Sequence, residues 1–179
     1  SVSRGLGDVY KRQEQIQGRA SLGGNICNGS PAGDSVPALI AAGCIALIAG
    51  PNGKREIPIE EFHIGPGKTV LDNGEMLVSL KFPKREINSS DTYLRMTPRT
   101  EMDIAVVGCG VNIAFENNVC TAARVSLGAV APTPLLIKEA SKIMVGSDLN
   151  SEILDKVSKI CMDLCDPIDD KRGTIDYRT

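Results

Sequence analysis

The stretch Ala20–Asp34, ASLGGNICNGSPAGD, carries the residues whose types and spacing best suit chemistry. Gly23 and Gly24 lack a Cβ, so the backbone there is free to take φ > 0 and to come close to a ligand. Ser21, Asn25, Asn28 and Ser30 add short donors and acceptors with little bulk, and Asp34 can accept from a ribose hydroxyl or an amide N–H. That set suits the holding of a phosphate-bearing cofactor without a strong positive charge. The same residues also describe a tight turn followed by a helix N-cap, worth about 1 kcal/mol. Spacing alone leaves both readings open.

The elements that must position these residues follow from periodicity. Residues 18–28 are expected to be extended and then looped, and Ser35–Ala42 helical, with Asp34 or Ser35 as cap and Pro37 in the first turn. Cys44–Ala49 reads as a buried strand, Pro51-Asn52-Gly53 as a turn and Arg55–Ile59 as the returning strand of a hairpin. Glu60–Phe62 suits one short helical turn. In Glu75–Phe82, Met76, Val78, Leu80 and Phe82 alternate with Leu77, Ser79 and Lys81, a strand pattern. Charge rises over Pro83–Asp91, which marks a boundary. Thr92–Met96, Ile104–Phe115 and Val119–Leu127 then read as strands, the last two joined by a turn at Glu116-Asn117-Asn118. Ile137–Val145 and Ser151–Cys165 read as helices, the second with Ile153, Leu154, Val157, Ile160, Cys161 and Leu164 on one face. The expected class is α+β: a mixed first half, then a three-stranded antiparallel sheet with a helical layer.

Composition excludes several functions. Apolar residues make up 42% and charged residues 23% of the 179, ordinary for a globular chain. Aromatics are only 3% with no Trp, and the net charge is −2, which argues against a nucleic-acid or membrane-surface role. The longest uncharged run, Val36–Gly53, is broken by Gly43, Gly50 and Pro51 and does not suit a membrane span. The six cysteines form no CxxC pair, and Cys161 and Cys165 would need two further ligands to hold a metal; free thiols in a reducing cytoplasm are expected. The thirteen residues SVSRGLGDVYKRQ show neither periodicity nor a targeting pattern, and residues 1–13 are expected to be a foreign leader.

ASLGGNICNGSPAGD followed by SVPALIAAG resembles the second flavin-binding segment of the FAD subunit of molybdenum hydroxylases, the family of the xanthine dehydrogenase and carbon monoxide dehydrogenase flavoproteins. FHIGPGKTVLDNGEMLVSLKFP resembles the stretch that leads out of that family's flavin domain. YLRMTPRTEMDIAVVGCGVNI and VSLGAVAPTPL resemble the start of its C-terminal domain, and PIDDKRGTIDYR its closing signature. The similarity runs from Gln17 to Thr179 with four motifs in order. It implies a partial FAD-binding domain of the vanillyl-alcohol-oxidase-like kind over residues 14–86, and a flavoprotein C-terminal domain over residues 87–179. The family's first Gly-rich flavin segment has no counterpart in the chain, so a C-terminal portion of a longer protein is expected.

The resemblance also implies roles. Ser21, Leu22, Gly23, Gly24 and Asn25 would touch the FAD pyrophosphate and ribityl chain, and Asp34 would hydrogen-bond the cofactor. Leu77 would lie against the isoalloxazine ring. Arg95 falls where the family commonly has Lys near the flavin's pyrimidine edge; Arg keeps the charge but alters the geometry. Arg99 and Asp103 are expected to form a buried ion pair. Asp169, Asp170, Arg172 and Tyr177 are expected to cap and pack, and His63 to be a structural or surface residue. The implied activity is electron passage from iron–sulfur clusters on a small subunit to FAD, and on to NAD⁺ or another acceptor, with molybdopterin on a large subunit. No side chain of this chain need act as acid, base or nucleophile. The alternative is a structural, subunit-docking piece that does not retain FAD by itself.

Overall fold

The computed structural model describes residues 19–99 and 103–179. The expected leader and residues 100–102 of the RTEMD motif lie outside them. Two small helices, α1 (Leu22–Cys27) and α2 (Ser35–Ala41), precede a sheet in which β1 (Ile45–Gly50) is flanked antiparallel by β2 (Gly53–Pro58) and β5 (Met76–Lys81). A 3₁₀ turn at Ile59–Glu61 and the short hairpin β3 (His63–Gly65) and β4 (Lys68–Thr69) link β2 to β5. The β1–β2 hairpin turns at Pro51–Asn52, where Gly53 takes φ 109°, so the punctuation read there is a real turn.

Residues 22–27 are helical and not looped, and neither Gly23 nor Gly24 takes a positive φ. Two glycines cost such a short helix about 1 kcal/mol each relative to alanine. The cap offsets this: Ser21 Oγ accepts from Gly24 N–H at 3.0 Å, and Ser21 O accepts from Asn25 N–H at 3.0 Å. Ile26, fully buried, anchors the helix in a core with Val36, Leu39, Ile40, Ala46, Ile48, Ile59 and Phe62. His63, also buried, lies with Nε2 2.8 Å from Ile26 O; burial pulls its pKa down, so the neutral ring donates its Nε2 proton to that carbonyl.

The carboxyl-terminal half is built on a four-stranded antiparallel sheet, in the order β6 (Ser89–Met96), β7 (Val107–Glu116), β8 (Val119–Gly128), β9 (Leu135–Leu136). Three strands were expected. The fourth is two residues long, too short for alternation to reveal, and is held by pairing of Leu135 with Leu127 and Leu136 with Ser126. Successive strand residues point to opposite faces. Val107, Cys109, Val111, Ile113 and Phe115 therefore join the core under α3 (Lys138–Met144) and α4 (Ser151–Asp163). Asn150 caps α4 by accepting from Ile153 N–H, as its sequence position suggests. A last short helix, α5, covers Ile175–Arg178.

Gly108, Gly110, Asn112 and Ala114 face the other way, and onto this small-residue face settles α2. A Cβ built on Gly110 would stand 2.6 Å from Pro37 O. Ser126 Oγ lies 2.5 Å from the same carbonyl, and Arg124 Nε donates to Ile40 O at 2.9 Å. Arg124 Nη2 also reaches Glu60 Oε1 at 2.9 Å. The helix that precedes β1 is thus packed into the sheet of the other half.

One ion pair in the first sheet makes stability pH-dependent. Arg55 Nε and Nη2 donate to Glu75 at 2.8 and 2.7 Å, and Asp72 N–H adds a bond at 2.9 Å. The guanidinium, then the amide, hold the Glu75 carboxyl at about 2, against 4.5 ordinarily. Because the folded pKa is depressed, the pair's contribution is complete above the unfolded value and is lost as pH falls from there towards 2. Urea midpoints at pH 6 and pH 3 should therefore differ less for Glu75→Gln than for the parent; an equal loss in both would show that the pair carries no acid sensitivity.

Candidate functional site

Helix α1 presents its amino-terminal turn at the surface, with Ser21, Leu22 and Gly24 exposed and Gly23 and Asn25 half-buried. Helix geometry leaves the Leu22 and Gly23 amides without an intrahelical acceptor, while Gly24 N–H is taken by Ser21 Oγ. A Cβ on Gly24 would come within 2.9 Å of that oxygen, so glycine here protects the cap. A Cβ on Gly23 would lie 3.9 Å from Leu77 Cδ2, which sets Leu77 of β5 directly against the double glycine. Leu77 is half-buried and packs on the first core.

Asn25 connects this turn to the next. Its Oδ1 accepts from Ser35 Oγ at 2.6 Å and from Ser35 N–H at 3.2 Å. The amide side chain thus caps α2 in place of Asp34, which occupies the N-cap position but makes no cap bond. The sequence did not mark Ser35 as a partner, because the contact joins positions ten apart through a fold-dependent turn.

Asp34, released from capping, turns to the other half of the chain. Its Oδ2 accepts from Arg95 Nη1 at 2.8 Å, with side-chain exposures of 16% and 11%. Its Oδ1 is buried and has no partner. Arg95 lies on the face of β6 that α2 covers, opposite Gly108, whose own neighbour on β8 is Gly128. The space over those two glycines is taken by the Tyr93 ring and by Pro37 of α2: a Cβ on Gly108 would stand 2.8 Å from Tyr93 Oη, and one on Gly128 2.6 Å from Pro37 Cγ. Gly108 and Gly110 at alternate positions were a readable sign of close approach; the identity of what approaches was not.

All eight candidate residues therefore fall on connected ground: Ser21–Asn25 on α1, Leu77 against Gly23, Asn25 tied to Ser35, and Asp34 tied to Arg95. Asn28 and Ser30 continue from α1, and Ser30 Oγ accepts from Ala32 N–H at 3.3 Å. The site suits a ligand with neutral hydroxyl or N–H donors and an anionic portion. A small-residue turn admits it to the backbone, and a carboxylate neutralised by a guanidinium still offers a buried acceptor. A cavity of about 730 Å³ lies beyond the end of α2, walled by Gly43, Pro83, Lys84, Asn112 and Arg124; of the candidate residues, only Leu22 lines it.

Other expectations resolve as follows. Arg99 Nε lies 3.3 Å from Asp103 Oδ2, but Arg99 is 69% exposed, so the pair is at the surface and not buried. Asp103 also faces Arg172 at 3.6 Å. Its carboxyl is held low by Ile104 N–H first and by Arg99 next. Asp169 Oδ1 accepts from Ile175 N–H at the start of α5, and Asp170 Oδ1 from Arg172 N–H, which is the capping expected. Tyr177 is exposed. Its neighbour Arg178, which drew no attention in the sequence, is the buried member of that signature: Nη1 donates to Val106 O and Ala129 O and Nη2 to Asp170 Oδ1. Burial pushes the Cys161 thiol up to about 11, with Cys109 and Cys165 adding to the shift. Among the described residues no helix is long and apolar enough to cross a membrane.

Comparison with known proteins adds to this geometry. Residues 12–85 match the FAD binding domain in molybdopterin dehydrogenase, and residues 92–179 the CO dehydrogenase flavoprotein C-terminal domain. The chain is 32% identical over 167 residues to the xanthine dehydrogenase FAD-binding subunit of Escherichia coli O157:H7, covering 92% of the chain and 56% of that protein. It is 29% identical over 165 residues to the carbon monoxide dehydrogenase medium chain of Hydrogenophaga pseudoflava, covering 92% and 57%. A solved structure of CO dehydrogenase from Oligotropha carboxidovorans superposes with a TM-score of 0.92 at 27% identity, over 97% of this chain and 60% of that one. The chain thus spans a little over half the length of the curated relatives it matches.

Proposed function

From a chain that belongs to the FAD-binding flavoproteins of the molybdenum hydroxylases, we propose a segment that grips FAD and passes electrons through it. When bound, the flavin supplies the redox chemistry, taking electrons from iron–sulfur clusters of a small partner subunit and giving them to NAD⁺ or another acceptor. The residues of this chain bind and orient. The first turn of α1, over Ser21–Asn25, admits the diphosphate to the backbone; Asp34 Oδ1 accepts from a cofactor hydroxyl; Leu77 lies against the ring. A large molybdopterin subunit and a cytoplasmic setting belong to the same reading. So does the division at about residue 86 into a partial FAD-binding domain and a C-terminal flavoprotein domain.

The single observation that carries the reading is the orphaned Asp34 Oδ1, a buried acceptor without a donor, next in sequence to the Ser35 that Asn25 holds. A buried polar atom of this kind costs about 1–3 kcal/mol until a partner arrives. The experiment is an FAD titration of the purified chain, read by flavin absorbance, alone and with the amino-terminal segment of the Hydrogenophaga pseudoflava medium chain joined to it. Uptake of one equivalent by the joined form, at least tenfold tighter than by the chain alone, is expected. Absence of flavin from both forms would overturn the proposal. A second reading, a structural and subunit-docking piece without FAD of its own, is favoured by the partial coverage of the relatives. It predicts uptake by the joined form alone.

A further inference from the structure

Ionised arginine–carboxylate pairs commonly close with two parallel bonds, one to each oxygen. Arg95 and Asp34 do not: Nη1 meets Oδ2 at 2.8 Å, while Oδ1 stays buried and unpartnered. Both side chains are largely withdrawn from solvent, at 11% and 16% exposure, and they come from elements 61 positions apart in sequence, β6 and the start of α2. Resting on the function proposed above, we infer that Arg95 is a positioning residue: it holds Asp34 from the opposite sheet so that Oδ1 alone is offered to a cofactor hydroxyl, and it does not touch the flavin ring.

Two physical arguments support this over a cation placed at the ring. A carboxylate left unpaired beside a diphosphate would repel it, and at low dielectric that repulsion is large. Pairing with Arg95 removes the net charge of Asp34 while keeping its acceptor. A guanidinium engaged by a carboxylate has in turn lost most of the field with which it would stabilise a reduced, anionic ring. The pair therefore serves affinity and leaves the electronics of the flavin to other groups. The contact with Asp34 Oδ2 is made by Nη1, and an ammonium can donate to the same oxygen, so lysine at this position should keep that bond in spite of its different shape.

The test compares the parent with Arg95→Met, Arg95→Lys, Asp34→Asn and the double substitution Arg95→Met with Asp34→Asn. Urea unfolding of the chain itself reads the pair without cofactor. FAD titration of the joined form, with the midpoint potential of the bound flavin, reads its role. Arg95→Met is expected to weaken FAD at least tenfold and Arg95→Lys by less than threefold. The double substitution should bind no worse than Asp34→Asn, and flavin bound to Arg95→Met at saturation should keep the parent's potential and absorption spectrum. A changed potential or spectrum with unchanged affinity would place Arg95 on the ring and overturn the inference, as would strictly additive losses of affinity. If the parent takes up no FAD, while the unfolding midpoints still show non-additive coupling, the proposed function fails and the inferred role fails with it. Strictly additive losses of affinity in a parent that binds FAD sink the inference alone.

Discussion

Gly110→Val is expected to leave the chain largely unfolded, or folded with a melting temperature lower by about 6–12 °C. The added Cβ would lie 2.6 Å from Pro37 O, 2.8 Å from Pro37 C and 2.8 Å from Ser126 Oγ. Two of those atoms belong to the backbone of α2, which is gripped at Pro37 by Ser126 and at Ile40 by Arg124. The helix cannot retreat without losing both bonds and disturbing the burial of its own Val36 and Ile40, both fully buried. Overpacking against yielding side chains costs about 1–3 kcal/mol. Against a fixed helix, about 3 kcal/mol or more is the fair expectation, and each kcal/mol lowers the midpoint by about 2–4 °C in a chain of this size. Differential scanning calorimetry decides it; a variant melting within 2 °C of the parent, about a single kcal/mol, would mean that α2 is not seated on this face in solution.

The second large effect concerns Arg178. Its side chain is 5% exposed and satisfies three acceptors: Val106 O at 3.1 Å, Ala129 O at 3.0 Å and Asp170 Oδ1 at 2.7 Å. Methionine fills much of the same volume but donates nothing. Arg178→Met should leave two buried carbonyls without this donor, while Asp170 Oδ1 keeps the Arg172 and Gly173 amides, and each buried acceptor left unsatisfied costs about 1–3 kcal/mol. Chemical denaturation should show a loss of that order with the slope unchanged. The converse substitution Asp170→Asn, which keeps an acceptor for Nη2, should cost markedly less. Equal losses in the two variants would show that the ion pair matters and the carbonyl bonds do not.

The regular elements were legible because their signals are local. Alternation over residues 75–82 gave β5 to within a residue, the turn at Glu116-Asn117-Asn118 set off β8 at 119–127, and the apolar face of Ser151–Cys165 gave α4. Asn117 and Asn118, read as a turn, do take positive φ between β7 and β8. Helix α1 was not legible, because its two glycines argue against a helix, and what forms it is a serine cap and one buried isoleucine. The site residues were named through family resemblance, since the chain's own pattern left both a turn and a cofactor loop open and leaned to the turn. What no pattern in the sequence held was who bonds whom. Asn25 caps the helix that Asp34 was expected to cap, and Asp34 instead meets Arg95, from a strand on the far side of the chain's boundary. Partnerships of that kind are decided by which elements pack together, after the fold has formed.

The seating of α2 has a thermodynamic consequence. Along the sequence a polar stretch divides the chain into two, but the helix that closes the first core is clamped by the sheet of the second. Melting either half strips a wall from the other. The two should therefore come apart in one cooperative step, and the acceptor at Asp34 stays correctly placed only for as long as both remain whole.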